Sequence, residues 1–250
     1  MLKLLQTIFL SALILCIASC TGPVEDYTTK DTLVIGTSAD NPPYEFVKDG
    51  EIVGLDIDVI ENIGKTLGKK IIIKNMDFSG LLPALTTGNI DAVIAGITVT
   101  DQRKQKVDFS RGYVSTSMEV MFLEKNTFQK VEDLHDKHIG VQSGTTWEIY
   151  AKSQKERFPQ MKITSLPSNL ILVEALKNKN IDAIIMEEVQ VIKFKNKIEN
   201  LNSFALNDTK GEFAIATQKA SGLAEIFNKA IDKLQLEGTL YPIKTKWLSN

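Results

Sequence analysis

The sequence predicts an α/β protein made of two similar units, each organised around a mixed, mostly parallel sheet. From Asp31 onward, short β-branched runs alternate with amphipathic segments, as crossover helices between parallel strands require. The strand and helix order of the first half returns in the second. The halves also share a local signature. Leu85-Thr86-Thr87-Gly88-Asn89-Ile90-Asp91-Ala92 is matched by Leu176-Lys177-Asn178-Lys179-Asn180-Ile181-Asp182-Ala183, each dropping from a helix through a polar turn into an Ile-Asp-Ala strand start.

Leu33-Val34-Ile35 reads as a buried strand, followed by a loop over Thr37 to Pro43. A helix from about Asp56 to Leu67 carries Val59, Ile60, Ile63 and Leu67 on one face, with Gly68 as its stop. Ile71 to Ile73 is a strand, and Ser79 is expected to cap a helix bearing Leu81, Leu82 and Leu85. Asp91 to Gly96 and Met118 to Leu123 read as strands, and polar Glu124 to Lys130 suggests a boundary. The second unit has strands at His138–Val141, Met161–Ile163 and Ile181–Ile185 and helices at about Thr145–Arg157 and Asn169–Lys177. Gly211–Thr217 is one further strand, and terminal helices cover Leu223–Leu236 and Tyr241–Leu248.

The first twenty residues address a compartment. Lys3, an apolar run from Leu4 to Ala18 and the small residues before Cys20 make residues 1–19 a secretion signal, too short and too interrupted for a spanning helix. Ile17-Ala18-Ser19-Cys20 resembles the lipobox of bacterial lipoproteins, which implies acylation of Cys20 and a membrane anchor at the periplasm or outer cell surface. The alternative is an ordinary secreted protein with a stray thiol. Cys16, the other cysteine, lies within the signal, so the mature chain has no internal disulfide partner. Residues 20–30 read as lipidated N-terminus and tether. The net charge of -2 offers no basic field for nucleic acid.

Five segments carry a more specific signal. Gly36-Thr37-Ser38-Ala39-Asp40-Asn41-Pro42-Pro43-Tyr44-Glu45-Phe46, continued by Gly54-Leu55-Asp56-Ile57-Asp58-Val59, is followed by Met76-Asp77-Phe78-Ser79-Gly80 and by Ala95-Gly96-Ile97-Thr98 with Thr100-Asp101-Gln102-Arg103. Asp108-Phe109-Ser110 before Gly112-Tyr113 and Val141-Gln142-Ser143-Gly144-Thr145-Thr146 complete the series. Together they resemble the family 3 extracellular solute-binding proteins, the amino-acid receptors of bacterial ABC importers, over residues 31 to 248. Within that family they resemble the glutamine- and arginine-type receptors.

The resemblance implies a two-lobed periplasmic-binding-protein type II fold, with two sheets joined by a two-strand hinge near Tyr113–Ser117 and Gly211–Ile215. Lobe one would hold 31–114 plus 213–250, and lobe two 115–212. It also implies a free amino acid and permease subunits as partners, no cofactor, no catalysis and a monomer.

The chemistry can be argued beside the resemblance. A buried amino acid needs a fixed cation for its carboxylate and a fixed anion for its ammonium. Arg103, past a strand end, can grip a carboxylate through two parallel hydrogen bonds, although a lone arginine beside Lys104 and Lys106 is commonly just solvated. Glu187 follows Ile184-Ile185-Met186 at the carboxyl end of a strand, where open α/β sheets bind ligands; its competing role is first-turn acid of the next helix, with Glu188 as a rival. Thr98, Thr145 and Thr146 can offer hydroxyls and N–H groups to the carboxylate, with capping the alternative for Thr145. Gly96 can give its carbonyl to the ammonium, and Phe78 can lie against the ligand's side chain.

Ser38 and Asn41 align with positions where several family members carry an acid and an aromatic for the ligand's side chain. Gln142 stands where the glutamine receptor has lysine, and resembles the arginine and lysine-arginine-ornithine type. A polar or basic amino acid is therefore expected, arginine or lysine first and glutamine second. An enzyme on this scaffold, such as a dehydratase, is the rival class. No serine-histidine-aspartate set, zinc spacing or phosphate loop stands out, and His135 and His138 precede the site loops. A sensory module is disfavoured by the lack of a signalling domain.

Overall fold

The computed structural model describes residues 26–207 and 209–249. The expected signal segment and Cys20 lie outside the described residues. No helix among the described residues is long and apolar enough to cross a membrane.

The chain opens with β1 (Thr32–Thr37), the hairpin strands β2 (Asp40–Asn41), β3 (Glu45–Lys48) and β4 (Glu51–Val53), and helix α1 (Leu55–Leu67). Next come β5 (Lys70–Asn75), α2 (Phe78–Thr86), β6 (Ala92–Val93), the short α3 (Asp101–Lys104) and β7 (Val107–Phe109). After β8 (Val114–Thr116) the second lobe holds β9 (Met118–Leu123), a 3-10 turn (Val131–Leu134), β10 (His138–Gln142), α4 (Thr146–Arg157) and β11 (Lys162–Leu166). It continues through α5 (Asn169–Lys177), β12 (Ala183–Glu187), α6 (Glu188–Lys195) and β13 (Leu201–Ala205). The chain returns through β14 (Gly211–Phe213) to β15 (Ala216–Gln218), α7 (Leu223–Leu236) and α8 (Leu240–Leu248).

Each lobe has its own five-stranded sheet, ordered β5-β1-β6-β15-β7 in lobe one and β11-β10-β12-β9-β13 in lobe two. Three strands in each are parallel, and the strand beside them runs antiparallel. Separate apolar cores fill the lobes. Helices α7 and α8 bury Phe227, Ile231, Leu234 and Ile243 with Val59, Ile60 and Ile63 of α1, so the C-terminus belongs to lobe one. The lobes are joined by β8 and β14, which pair antiparallel from Val114↔Phe213 to Thr116↔Gly211.

The repeated Ile-Asp-Ala turn has a packing cause. Asp91 Oδ2 accepts the Val34 N–H at 2.7 Å, and Asp182 Oδ2 accepts the His138 N–H at 2.8 Å, so each aspartate satisfies a free donor at the start of its central strand. The preceding isoleucines cover glycines of those strands. A Cβ on Gly36 would lie 2.5 Å from Ile90 Cδ1, and one on Gly140 would lie 2.5 Å from Ile181 Cδ1.

Several expectations are corrected. Asp77, not Ser79, is the N-cap of α2, and Ser79 falls inside its first turn. The strand expected over Asp91 to Gly96 is only Ala92–Val93, because the Gly96 N–H is diverted to the Asp56 carboxylate. The strand expected at Ile181–Ile185 runs from Ala183 to Glu187, which brings Glu187 to its end. Gly211–Thr217 is two strands, since the chain leaves the hinge after Phe213 and enters the lobe-one sheet at Ala216. The loop expected after Thr37 begins a three-stranded hairpin sheet. The tether expected through Lys30 is already packed at its end: Tyr27 is buried and Lys30 pairs with Asp91 at 2.7 Å.

Candidate functional site

The lobes meet over a cavity. Lobe one contributes Ser38, Asp40, Asn41, Glu45, Phe78, Ala95, Gly96, Thr98 and Arg103; lobe two contributes Gln142, Thr145, Thr146 and Trp147. Each comes from a strand end or a helix start, where chain direction changes and backbone groups are free to face the interface.

Arg103 is set by its local fold. Thr100 caps α3 by accepting the Arg103 N–H at 3.2 Å, and this short helix carries the side chain inward, leaving Arg103 only 7% exposed. The guanidinium donates Nη1–H to the Thr98 carbonyl at 2.7 Å and Nη2–H to the Gly144 carbonyl of lobe two at 3.0 Å. It also lies 5.6 Å from the Phe78 ring centre. Burial lowers its pKa to about 10, so it keeps its charge at neutral pH. Among the described residues no carboxylate forms an ion pair with it. A buried cation held by carbonyl dipoles alone is under-compensated.

Opposite it stands the start of α4. The Thr145 hydroxyl donates to the Gln142 carbonyl at 2.7 Å and accepts the Glu148 N–H at 3.2 Å, so the capping role is the one seen for Thr145. Thr146 opens the helix, at the end where partial positive charge gathers. Cation and helix terminus thus line one small space.

The first hairpin supplies acids. Asp40 Oδ2 accepts the Asn169 N–H of lobe two at 2.7 Å, and the Gln142 amide approaches both its oxygens at 3.4 Å. Burial raises the Asp40 pKa, opposed by Ser168, Asn169 and Gln142. Glu45 is fully buried and accepts the Asn41 amide at 3.0 Å. Burial first, and the neighbouring Asp56 second, push its pKa well above the ordinary carboxylate value. Asp56 accepts the Gly96 N–H at 2.8 Å and is raised by burial to about 6. Gly96 has φ +53, and a Cβ there would meet the Asn41 amide nitrogen at 2.7 Å.

The cavity gathers Ser38, Asn41, Phe78, Gly96, Thr98, Arg103, Gln142, Thr145 and Thr146. Glu187 is not among its lining residues. Its carboxylate caps its own helix α6 by accepting the Gln190 N–H at 3.0 Å, and its other surroundings are Tyr44 and a hinge-side hollow with Ser115, Ser117 and Lys210. Burial raises its pKa to about 7. The helix N-terminus, the competing attraction recognised in the sequence, holds this side chain. The acids that share the cavity with Arg103 are Asp40 and Glu45. Both lie within the first matching segment, but spacing gave no reason to prefer them to Ser38 and Asn41. Trp147 was likewise unmarked, reading as an ordinary helix residue. Among the described residues no group of three or more histidine, cysteine, aspartate or glutamate side chains is arranged to hold a metal ion.

Residues 33–250 match the family described as bacterial extracellular solute-binding proteins, family 3. The chain belongs to this family. It is 33% identical over 225 residues to the arginine-binding extracellular protein ArtP of Bacillus subtilis, covering 88% of this chain and 87% of that one. It is 36% identical over 211 residues to a probable histidine-binding protein of Campylobacter jejuni, covering 83% and 81%. Among solved structures, an ancestral arginine-binding protein bound to arginine superposes with a TM-score of 0.84 at 33% identity, covering 88% of this chain and 99% of that one. In this family-3 chain the cleft between two similar lobes is therefore the candidate solute-binding site, and the residues converging there are candidate contacts for the solute.

Proposed function

We propose that this family-3 protein is the receptor of an amino-acid ABC importer and closes around one free polar or basic amino acid, arginine or lysine first and glutamine second. The observation that carries this reading is Arg103: a buried guanidinium, without a carboxylate partner among the described residues, facing the start of α4. A ligand carboxylate would accept its paired N–H groups together with those at Thr98, Thr145 and Thr146. The α-ammonium would meet the Gly96 carbonyl and Glu187, whose side chain must leave the α6 terminus to reach it. Phe78 would lie along the ligand's side chain.

Because each lobe holds part of the ligand, binding stabilises the closed form over the open one. Four or five charge-assisted hydrogen bonds of about 1.5 to 3 kcal/mol each are sufficient for micromolar affinity, about -8 kcal/mol. The arginine- and histidine-binding relatives and the arginine-bound neighbour support a basic ligand. We further propose permease subunits as the partner of the closed form, a monomer as the working state, lobes of 31–114 plus 213–250 and 115–212, and acylation of Cys20. The matched family is one of solute-binding proteins, which supports binding over the rival catalytic role.

A thermal-shift screen of the common amino acids tests the reading. One strong stabiliser among the basic or polar amino acids is expected, and Arg103→Ala should abolish its effect. A protein that no amino acid stabilises would refute it.

A further inference from the structure

Asp40 is the feature of the cleft that a simple grip on the ligand's backbone leaves without a use. It stands on β2 of lobe one, yet its firm bond is made in lobe two, where Oδ2 accepts the Asn169 N–H at 2.7 Å. Asn169 is the first residue of α5, whose own cap is Ser168. A carboxylate of one lobe therefore supplements the helix cap of the other, and the bond exists only when the cleft is shut.

Closing the cleft moves this carboxylate out of water. The groups that receive it there are the Asn169 N–H, the Ser168 hydroxyl and the Gln142 amide, which are dipoles and not charges. Among the described residues no lysine, arginine or histidine forms an ion pair with Asp40. Dipoles alone compensate a desolvated anion poorly. Oδ1 lies 3.4 Å from both the Ser38 hydroxyl and the Gln142 amide, and Asp40 lines the cavity. A carboxylate with no paired cation among the described residues thus borders the space a ligand would fill.

The charges of the cleft can be followed in turn, resting on the receptor reading above. The ligand carboxylate neutralises Arg103, and the ammonium is met by Glu187 and the Gly96 carbonyl. Glu45, the other acid lining the cavity, stays within lobe one, where it accepts the Asn41 amide at 3.0 Å. Of the two acids lining the cavity, Asp40 is then the one whose carboxylate reaches across to the second lobe, and among the described residues no basic side chain pairs with it. We propose that Asp40 selects the ligand, making closure of the cleft favourable only around an amino acid whose side chain carries a positive charge.

L-Citrulline has the shape of L-arginine without its charge, which isolates the selection. Calorimetric titration of the protein with each should give arginine an advantage of about 10- to 100-fold, the range of a charge-assisted hydrogen bond. In Asp40→Asn, which keeps the shape and an acceptor for the Asn169 N–H, the ratio of the two affinities should collapse to within about threefold of unity, and Asp40→Ser should behave alike. If the variants weaken both ligands equally and keep the ratio, Asp40 only joins the lobes and the proposal is wrong. If the unaltered protein binds citrulline or other neutral amino acids as tightly as arginine, selection by Asp40 fails while the receptor reading stands. If it binds no amino acid, the receptor reading itself fails.

Discussion

The Arg103 guanidinium donates Nη2–H to the Gly144 carbonyl at 3.0 Å, a bond that runs from one lobe to the other. The same side chain holds the Thr98 carbonyl of its own lobe at 2.7 Å. These two bonds fix the guanidinium plane, and with it the direction in which a carboxylate can be gripped. Lysine has the charge without the planar fork. Arg103→Lys should therefore weaken amino-acid binding at least tenfold, about 1.5 kcal/mol or more, while leaving the melting temperature of the free protein within a few degrees. Calorimetry and a thermal melt check both parts.

Gly96→Ala should lower both stability and affinity. The new methyl would meet the Asn41 amide nitrogen at 2.7 Å on a backbone with φ +53, whereas Gly68, with φ +66, has nothing within 4 Å of its position. Gly68→Ala should cost about 1 kcal/mol from backbone strain, and Gly96→Ala about 2 kcal/mol, because strain and contact add there. Equal losses in denaturant melts would show that Asn41 yields freely.

The unliganded protein should lose stability as pH rises from 5 to 7.5. Asp56 ionises at about 6 in the folded chain against 3.8 ordinarily, and Glu187 at about 7 against 4.5. Their folded-state values are raised, so the unfolded chain releases protons that the native chain retains. The stabilisation is full below the unfolded values and is lost as pH climbs through the folded ones. Asp108 and Glu148, whose values are lowered, change ionisation below this window. A melting temperature that stays level or increases over this range would contradict the assignment.

Gly140→Ala should destabilise the protein by about 1 to 3 kcal/mol through overpacking, because its Cβ would meet Ile181 Cδ1 at 2.5 Å and Leu172 Cδ2 at 2.8 Å. Adding Ile181→Val removes the nearer of these atoms. The double variant should be less destabilised than the sum of the single ones, which a double-mutant cycle in urea measures.

Much of this architecture was legible in the sequence because its signals are local. Ile90-Asp91 and Ile181-Asp182 each combine a packing role and a capping role in adjacent residues, so the repeat survives as a readable pattern. Gly68 ends α1 in the left-handed conformation its place in the sequence implied. The split of Gly211–Thr217 was not legible, since an apolar run reads alike whether one sheet or two receive it. Arg103 could be found because the resemblance singled it out from its lysine neighbours. Asp40 could not, because its partner Asn169 is 129 positions away and its importance arises only when the two lobes touch. Glu187 shows two local signals in competition: alignment points to the cleft, and the start of α6 holds the carboxylate through the Gln190 N–H.

Strand β15 lies between β6 and β7, in the interior of the lobe-one sheet. During synthesis, every strand of lobe two emerges in one continuous stretch, from β9 to β13, and that lobe can close its sheet as soon as it is complete. Lobe one must hold a gap between β6 and β7 until the chain reaches Ala216, after its sister lobe has already been made. Chain growth thus imposes an order in which the inserted half matures first and the enclosing half last.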